Sequence, residues 1–186
     1  AYTPRPMKDV VISGTGCYNP PHIITNAELV DSYNAYAALQ NEKNAAAIAA
    51  GTVQALVPSS VEFIEKASGI KQRHVIDKAG VLDPTRMRPH FEPRPDDQLS
   101  LMAELGAQRA RAAMAAAGKT GADIDGVLCA AANMQRAYPA MACEIQQAIG
   151  AGGYGFDMNV ACSSATFGIE QAVNAVRCGT AKCVLV

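Results

Sequence analysis

The stretch of residues 156–169 limits the fold strongly, because it reads as a strand, a sharp turn and a helix in direct succession. It opens on a short, largely apolar run, and small residues follow directly after Cys162. Beyond them, apolar residues recur at the spacing of one helix face, at Ala165, Ile169, Ala172, Val173 and Val176. Gly179 then supplies a stop signal. We therefore predict a strand over 156–160 and a helix that begins at Cys162.

Cys162 is a candidate nucleophile because of its predicted place at the start of that helix. There it would feel the positive end of the helix dipole and several unpaired backbone N–H groups, both of which favour a thiolate. The alternative is a buried, unreactive small hydrophobe, which is a common role for cysteine. Ser163, Ser164 and Ala165 favour the first interpretation, because such small side chains leave room for a substrate to reach the sulfur.

The remaining segments alternate between strand-like and helix-like patterns. We predict strands over 10–14, 124–132 and 183–186, a helix capped by Asp97 and ending at Gly118, and a helix from Pro139 to Ile149. Strands that alternate with helices are typical of an α/β fold with a largely parallel sheet. The strand at 183–186 should have neighbours on both sides, so we interpret residues 1–186 as about the first half of a longer protein.

The composition excludes several classes of function. Hydrophobic residues make up 49% of the chain, enough for a sizeable core, and the formal net charge of −1 gives no reason to expect a nucleic-acid partner. With no apolar run of about 18 residues and no signal-peptide pattern, we expect a cytoplasmic protein without a membrane partner. The six cysteines do not form a disulfide pattern, and the three histidines are too scattered to suggest a metal site.

Three motifs resemble segments of one known family. The residues Asn-Val-Ala-Cys-Ser-Ser-Ala-Thr-Phe-Gly-Ile at 159–169 resemble the nucleophile segment of the thiolase superfamily, and more narrowly that of β-ketoacyl-acyl carrier protein synthase III. Tyr-Pro-Ala-Met-Ala-Cys-Glu-Ile-Gln at 138–146 is similar to that family's Phe-Pro-x-x-Ala-x-x-Ile-Gln pattern. Ser-Gly-Ile-Lys-Gln-Arg-His at 68–74 also matches the family. The resemblance therefore extends over nearly the whole chain.

The resemblance implies a thiolase-like α/β fold, in which two similar halves form five layers, α-β-α-β-α. This chain would be the N-terminal half that carries the nucleophilic cysteine, and the C-terminal half is not in it. Residues 31–57 are alanine-rich and read as helical, and by comparison with the family they form an insertion. We interpret this insertion as a surface helical excursion rather than as a wall or lid at the mouth of the substrate site.

In the family, the cysteine takes an acyl group from an acyl-coenzyme A. The acyl-enzyme then condenses with malonyl-acyl carrier protein as carbon dioxide leaves, a decarboxylative Claisen condensation of fatty-acid biosynthesis. The resemblance implies that Cys162 is the acylated residue of a homodimeric acyltransferase, with a coenzyme A thioester as substrate and no tightly bound cofactor or metal. The family's catalytic histidine and asparagine match no residue here, so we assign no general base.

The resemblance also implies substrate-binding roles for three residues. Tyr138 matches a phenylalanine that crosses the dimer interface and lines the partner's acyl pocket, although an ordinary interfacial aromatic is the alternative. Phe63 matches a tryptophan that stacks on the adenine of coenzyme A, and Ser59 matches a nearby polar contact. Phe63 alternatively belongs to the core face of a short helix that Ser59 or Ser60 caps.

Two other classes of function stay open at this point. One is another thiolase-fold acyl-coenzyme A enzyme, such as a thiolase, a hydroxymethylglutaryl-coenzyme A synthase or an acyltransferase that does not condense. The other is a non-catalytic subunit that binds acyl chains or a carrier protein. A reactive Cys162 argues against the second.

Overall fold

In the computed structural model, which describes residues 9–186, the chain forms two compact units. One unit combines residues 9–18 with residues 94–186, and the other consists of residues 19–93. We call them the Cys162 unit and the 19–93 unit. Among the helices of residues 9–186, none has the length and apolar character that a membrane crossing requires.

Seven α-helices and five strands are found in residues 9–186. The helices are α1 (Asn26–Lys43), α2 (Ala45–Ala49), α3 (Val61–Ser68), α4 (Lys78–Leu82), α5 (Leu101–Ala117), α6 (Met141–Ile149) and α7 (Ser164–Cys178). The strands are β1 (His22–Thr25), β2 (Gln72–Val75), β3 (Gly126–Ala130), β4 (Tyr154–Met158) and β5 (Val184–Leu185).

The sheet of the Cys162 unit has the parallel arrangement that the alternating pattern predicts. Its strands lie in the order β4–β3–β5, and both pairs are parallel. Gly126 lies opposite Tyr154 and Ala130 lies opposite Met158, so β3 and β4 pair over their full length. Because the two strands run in the same direction, their C-terminal ends meet at one edge of the sheet. The segment that carries Cys162 begins at that edge.

The core of this unit lies between the sheet and the helices α5 and α6. Helix α5 turns a row of alanines toward the core, and these small side chains let α6 pack closely against it. At Gly106 the approach is so close that an added Cβ would lie 2.5 Å from Cδ1 of Ile145. The buried core residues are Ala103, Ala107, Ala110, Met114, Ile124, Val127, Ala142, Ile145 and Ile149.

Helix α5 does not begin at Asp97 as predicted, because Ser100 caps it instead. The Ser100 hydroxyl accepts a hydrogen bond from the N–H of Ala103 at 3.2 Å. The N–H of Ser100 in turn donates to Oε2 of the buried Glu144 at 2.8 Å. A long-range contact therefore fixes the helix start, and the sequence near Asp97 does not reveal it.

Helix α6 begins at Met141, and the prediction that Pro139 is its first residue is wrong. Both oxygens of the Asp157 carboxylate, which projects from β4, accept hydrogen bonds from the helix start. Oδ2 accepts from the N–H of Met141 at 2.9 Å, and Oδ1 accepts from that of Ala142 at 2.8 Å. The cap thus comes from another strand and not from the residues that precede the helix.

The predicted first strand at 10–14 is also wrong. Residues 10–14 form no strand, and Val11 and Ile12 are 80% and 73% exposed. The chain after them packs against the backbone of α5, where added Cβ atoms at Gly14 and Gly16 would lie 2.4 and 2.1 Å from main-chain oxygens. An apolar run favours a strand only where a sheet edge is available to pair with it, and here the glycines bring the chain onto a helix instead.

The 19–93 unit combines α1 with a two-stranded antiparallel sheet of β1 and β2. Helix α1 starts at a capping box, in which the Thr25 hydroxyl accepts from the N–H of Glu28 and the Glu28 carboxylate accepts from the N–H of Thr25. The short helix α3 is capped by Ser60, whose hydroxyl accepts from the N–H of Phe63 at 3.1 Å. The sequence predicted this start.

The segment 31–57 is helical as far as Ala49, and two asparagines of α1 hold the chain that follows. The Asn41 amide donates to the carbonyl of Leu56 at 2.9 Å and accepts from its N–H at 2.8 Å. Asn34 makes the same pair of bonds to Ser59, at 3.2 and 2.8 Å. Each amide thus forms hydrogen bonds with both the N–H and the carbonyl of one residue, as a neighbouring strand would. That the segment is an insertion stays a prediction.

Candidate active site

Cys162 lies in a single 3-10 turn, Ala161–Ser163, between the end of β4 and the start of α7. This confirms the predicted succession of strand, sharp turn and helix, although β4 ends at Met158 and α7 begins at Ser164. Cys162 is exposed. The topology therefore presents this residue at the edge where the parallel strands end, which is where α/β folds commonly bind ligands.

The turn has a strained backbone at Ala161, whose φ is +47°. A residue with a Cβ adopts this left-handed conformation at a cost of about 1–2 kcal/mol, so other contacts have to hold it. The Asn159 side chain accepts a hydrogen bond from the N–H of Ala161 at 3.0 Å and donates to the carbonyl of Ala132, beyond β3, at 2.8 Å. These two bonds tie the turn to the neighbouring strand end.

Ser164 holds the same turn from its other side. Its hydroxyl donates to the carbonyl of Ala161 at 2.8 Å and accepts from the N–H of Val160 at 2.9 Å. Ser164 is only 2% exposed. From the sequence alone, Ser164 is predicted only as a small residue, and Asn159 has no predicted role. An Asn two residues before a turn residue is a known signal for a side-chain-stabilised turn.

The backbone N–H groups of Cys162 and Ser163 differ in their hydrogen bonding. The N–H of Ser163 donates to the carbonyl of Val160 at 3.0 Å, which closes the turn. For the N–H of Cys162 itself, we find no hydrogen-bond partner within residues 9–186. An unpaired N–H beside a nucleophile is suited to bind an oxygen that gains negative charge.

Other thiols of the chain differ from Cys162 in their surroundings. Cys129 lies in β3, where burial and, to a smaller degree, the negative charge of Asp157 raise its pKa to about 11. This thiol stays protonated at neutral pH. Cys143 and Cys178 are exposed on α6 and α7 and serve as references for the reactivity of an accessible thiol.

Tyr138 belongs to the same unit as Cys162 and lies in the loop between β3 and α6. It is 89% exposed, which is unusual for a large aromatic side chain. With Pro139 it borders an open cavity of about 570 Å³. The cavity also contains the ion pair between Nε of Arg136 and Oε1 of Glu144, at 3.0 Å.

Phe63 and Ser59 belong to the 19–93 unit. Phe63 is 66% exposed on α3, so it does not lie on a face of that helix that packs into a core. The main-chain N–H and carbonyl of Ser59 are both bonded to the Asn34 amide. The coenzyme A role of these two residues stays a prediction.

No metal site is found in the part of the chain that the structure describes, since no three His, Cys, Asp or Glu side chains of residues 9–186 group together. The histidines at 22, 74 and 90 all belong to the 19–93 unit. Nδ1 of His74 lies 3.0 Å from the carbonyl oxygen of Pro20, a contact that holds β2 to the chain before β1.

Comparison with known proteins finds many sequence relatives, of which two are representative, whereas no family model matches the chain. The chain is 51% identical over 156 residues to the β-ketodecanoyl-[acyl-carrier-protein] synthase of Pseudomonas aeruginosa, a match that covers 84% of this chain and 45% of that protein. It is 29% identical to β-ketoacyl-[acyl-carrier-protein] synthase III of Granulibacter bethesdensis, over 97% of this chain and 42% of that protein.

Solved structures share the fold. The 3-oxoacyl-[acyl-carrier-protein] synthase III of Aquifex aeolicus matches with a TM-score of 0.62 at 24% identity, over 91% of this chain and 41% of that one. Its counterpart from Xanthomonas oryzae matches with a TM-score of 0.65 at 18% identity, over 94% and 41%. The predicted thiolase-like α/β fold is thereby confirmed. The chain spans less than half the length of the relatives it matches, and corresponds to their N-terminal part.

Proposed function

Because the chain belongs to the β-ketoacyl-[acyl-carrier-protein] synthase III family, we propose that it carries the nucleophile of an acyltransferase. In this proposal, Cys162 takes an acyl group from an acyl-coenzyme A and the acyl group condenses with malonyl-acyl carrier protein, in fatty-acid biosynthesis. The observation that carries the proposal is the position of Cys162. It is an exposed thiol at the start of a helix. The turn that carries it has a strained backbone, which side-chain hydrogen bonds fix in place.

The first chemical step suits a thiolate in this turn. The Cys162 sulfur attacks the thioester carbonyl, a new C–S bond forms, and the bond to coenzyme A breaks as its sulfur leaves with the electron pair and takes up a proton. The N–H of Cys162 is suited to bind the oxygen that becomes negative in between. The acyl group is again a thioester, so it stays activated for the next step.

In the second step, malonyl-acyl carrier protein loses carbon dioxide and the resulting carbanion attacks the carbonyl of the acylated Cys162. A C–C bond forms and the cysteine sulfur leaves as the thiolate. The family's histidine and asparagine for this step are not assigned to residues of this chain. Acylation is therefore the half of the reaction for which these residues account.

Other features of the proposal concern binding. Phe63 stacks on the adenine of coenzyme A, with Ser59 as a polar contact, and its exposure on α3 supports this role. Tyr138 crosses the interface of a homodimer and lines the acyl pocket of the partner, which its nearly complete exposure supports. Such substrates require no tightly bound cofactor, no membrane and no nucleic acid, and we place the reaction in the cytoplasm.

The acyl donor follows from the relative that is 51% identical, which is a β-ketodecanoyl-[acyl-carrier-protein] synthase. Condensation with a malonyl group and loss of carbon dioxide lengthen an acyl chain by two carbons. A β-ketodecanoyl product therefore needs an octanoyl donor, and we propose octanoyl-coenzyme A for this chain as well.

The proposal is tested by incubating the protein with octanoyl-coenzyme A and mapping the modified peptides by mass spectrometry. We expect the octanoyl mass on Cys162, no acylation of the Cys162→Ala variant, and unchanged acylation of the matched variant Cys178→Ala. Acylation of Cys143 with Cys162 unmodified would refute the proposal. Acylation of Cys162 without β-ketoacyl product in the presence of malonyl-acyl carrier protein would point to a thiolase-fold acyltransferase that does not condense.

A further inference from the structure

We propose that Ser164 and Asn159 are positioning residues that aim the N–H of Cys162 at the oxyanion formed during acylation. The inference rests on the proposed acylation of Cys162. It goes further in that it assigns the orientation of the oxyanion donor to two side chains, neither of which is expected to touch the substrate.

The geometry of the peptide bond between Ala161 and Cys162 links these side chains to the donor. In a trans peptide, the carbonyl of one residue and the N–H of the next lie in one plane and point in opposite directions. The Ser164 hydroxyl binds the carbonyl of Ala161 at 2.8 Å. By fixing the direction of this carbonyl, Ser164 also fixes the N–H of Cys162, which points the opposite way.

Asn159 fixes the preceding peptide plane in the same way. Its side-chain oxygen binds the N–H of Ala161 at 3.0 Å, and its amide is anchored to the carbonyl of Ala132 at 2.8 Å. Ala161 therefore has both of its main-chain groups bound by side chains, and its carbonyl also accepts a hydrogen bond from the N–H of Ser164. Together these bonds hold its φ at +47°. Without the side-chain bonds, only the N–H of Ser164 would hold the Ala161 carbonyl. Ala161 would then rotate more readily toward a conformation with negative φ, and the next peptide plane would rotate with it.

The burial of Ser164 makes this arrangement rigid. At 2% exposure, its hydroxyl is shielded from water that would compete for the Ala161 carbonyl. The hydroxyl also accepts from the N–H of Val160 at 2.9 Å, so its proton is left to point at Ala161. The Ser164 side chain thus binds two successive residues of the turn, Val160 and Ala161.

The test compares two reactions of Cys162 in the same protein. Iodoacetamide alkylates a thiolate by direct displacement and develops no oxyanion, whereas p-nitrophenyl acetate acylates it through a tetrahedral oxyanion. We expect Ser164→Ala to slow acetylation of Cys162 by about tenfold or more, a part of the roughly 100- to 1,000-fold cost of losing an oxyanion donor outright. Alkylation should change by less than about twofold, because it needs no such donor.

Asn159 provides a second, independent pair of variants. Asn159→Ala should lower the ratio of acetylation to alkylation, and Asn159→Ser should restore part of it, because a serine hydroxyl accepts the same turn hydrogen bond without adding charge. Asn174→Ala, on the exposed face of α7, is the matched control and should leave both rates unchanged. Rates at Cys143 in the same samples correct for reagent and pH, and thermal unfolding confirms that each variant is folded.

Equal losses of acetylation and alkylation in Ser164→Ala would overturn the inference, because they would indicate a general disturbance of the thiol. A wild-type Cys162 that is acetylated no faster than Cys143 would overturn it as well. Neither result depends on coenzyme A. If p-nitrophenyl acetate acetylates Cys162 selectively and octanoyl-coenzyme A does not, the positioning role stands and the proposed acyl donor fails.

Discussion

At the scale of single residues, Cys129 and Cys162 show how one fold gives two thiols different chemistry. Cys129 pairs with Asp157 across β3 and β4, and burial together with that negative charge raises its pKa to about 11. A raised pKa means that the protonated thiol persists until the pH approaches that value. Cys162 is exposed in the turn between β4 and α7. Burial thus suppresses the reactivity of Cys129, whereas the Cys162 thiol is accessible to a reagent.

This contrast predicts a pH profile for labelling of the folded protein. At pH 8 only about one Cys129 in a thousand should be a thiolate, given a pKa near 11, so iodoacetamide should leave it almost unmodified. Its labelling rate should rise about tenfold per pH unit up to that pKa. Peptide mass mapping at pH 7 to 10 measures this, with the urea-unfolded protein as the control. Rapid labelling of Cys129 in the folded protein at pH 8 would contradict the assigned environment.

The candidate site could be predicted from the sequence in part, and residues within it show why. Cys162 was found because its signal is local: an apolar run, a cysteine and a helical spacing stand next to each other in the chain. The role of Ser164 was not found, because a hydroxyl that bonds to a nearby carbonyl leaves the same sequence pattern as one that faces solvent. Whether Ser164 bonds depends on the backbone bend at Ala161, which no periodicity reveals.

At the scale of elements, the strand predicted at 10–14 is absent, the other predicted helices and strands are present, and their ends differ from the prediction in several places. The ends of α3 and α7 follow local signals, a serine cap and a glycine in the left-handed conformation. The starts of α5 and α6 depend on the Glu144 and Asp157 carboxylates, which come from elsewhere in the chain. Propensity and periodicity act within a few residues, so they cannot identify a cap that tertiary structure supplies.

The cap that β4 supplies to α6 leads to a prediction about stability. Asp157→Ala removes two acceptors from the helix start, and we expect it to lower the free energy of unfolding by about 1–3 kcal/mol, since a single lost cap costs about 0.5–2 kcal/mol. Asp157→Asn keeps one acceptor oxygen and should lose less. Urea unfolding followed by circular dichroism measures the differences. Asp96→Ala is the control, and an equal effect of Asp96→Ala and Asp157→Ala would contradict the capping role.

At the scale of the whole molecule, the fold class follows from the order of elements, but the division into two units does not. The alternation of strands and helices predicted a parallel sheet, and β4–β3–β5 is parallel. The division between the 19–93 unit and the Cys162 unit follows from which segments pack together. The Cys162 unit is built from two separate stretches of the chain. Contacts between segments far apart in the chain decide such a division, and these contacts cannot be inferred from the composition.

The last prediction concerns assembly, for which Tyr138 is the structural indicator. A tyrosine that is 89% exposed leaves a large apolar surface in water, and aromatic residues of this kind commonly anchor interfaces between chains. We expect the protein to dimerise with Tyr138 at the interface. Tyr138→Ala should raise the dissociation constant by about thirtyfold, since burying such an anchor is typically worth about 2 kcal/mol.

Sedimentation equilibrium over a range of concentrations measures this constant for each variant. Phe63→Ala provides the matched control, because Phe63 is also an exposed aromatic, at 66%, but has its proposed role in binding coenzyme A. It should leave the dimer unchanged. A protein that stays monomeric at every concentration would refute the interface. Equal weakening by both substitutions would show that the loss reflects reduced surface hydrophobicity in general, and that Tyr138 has no particular place in the contact.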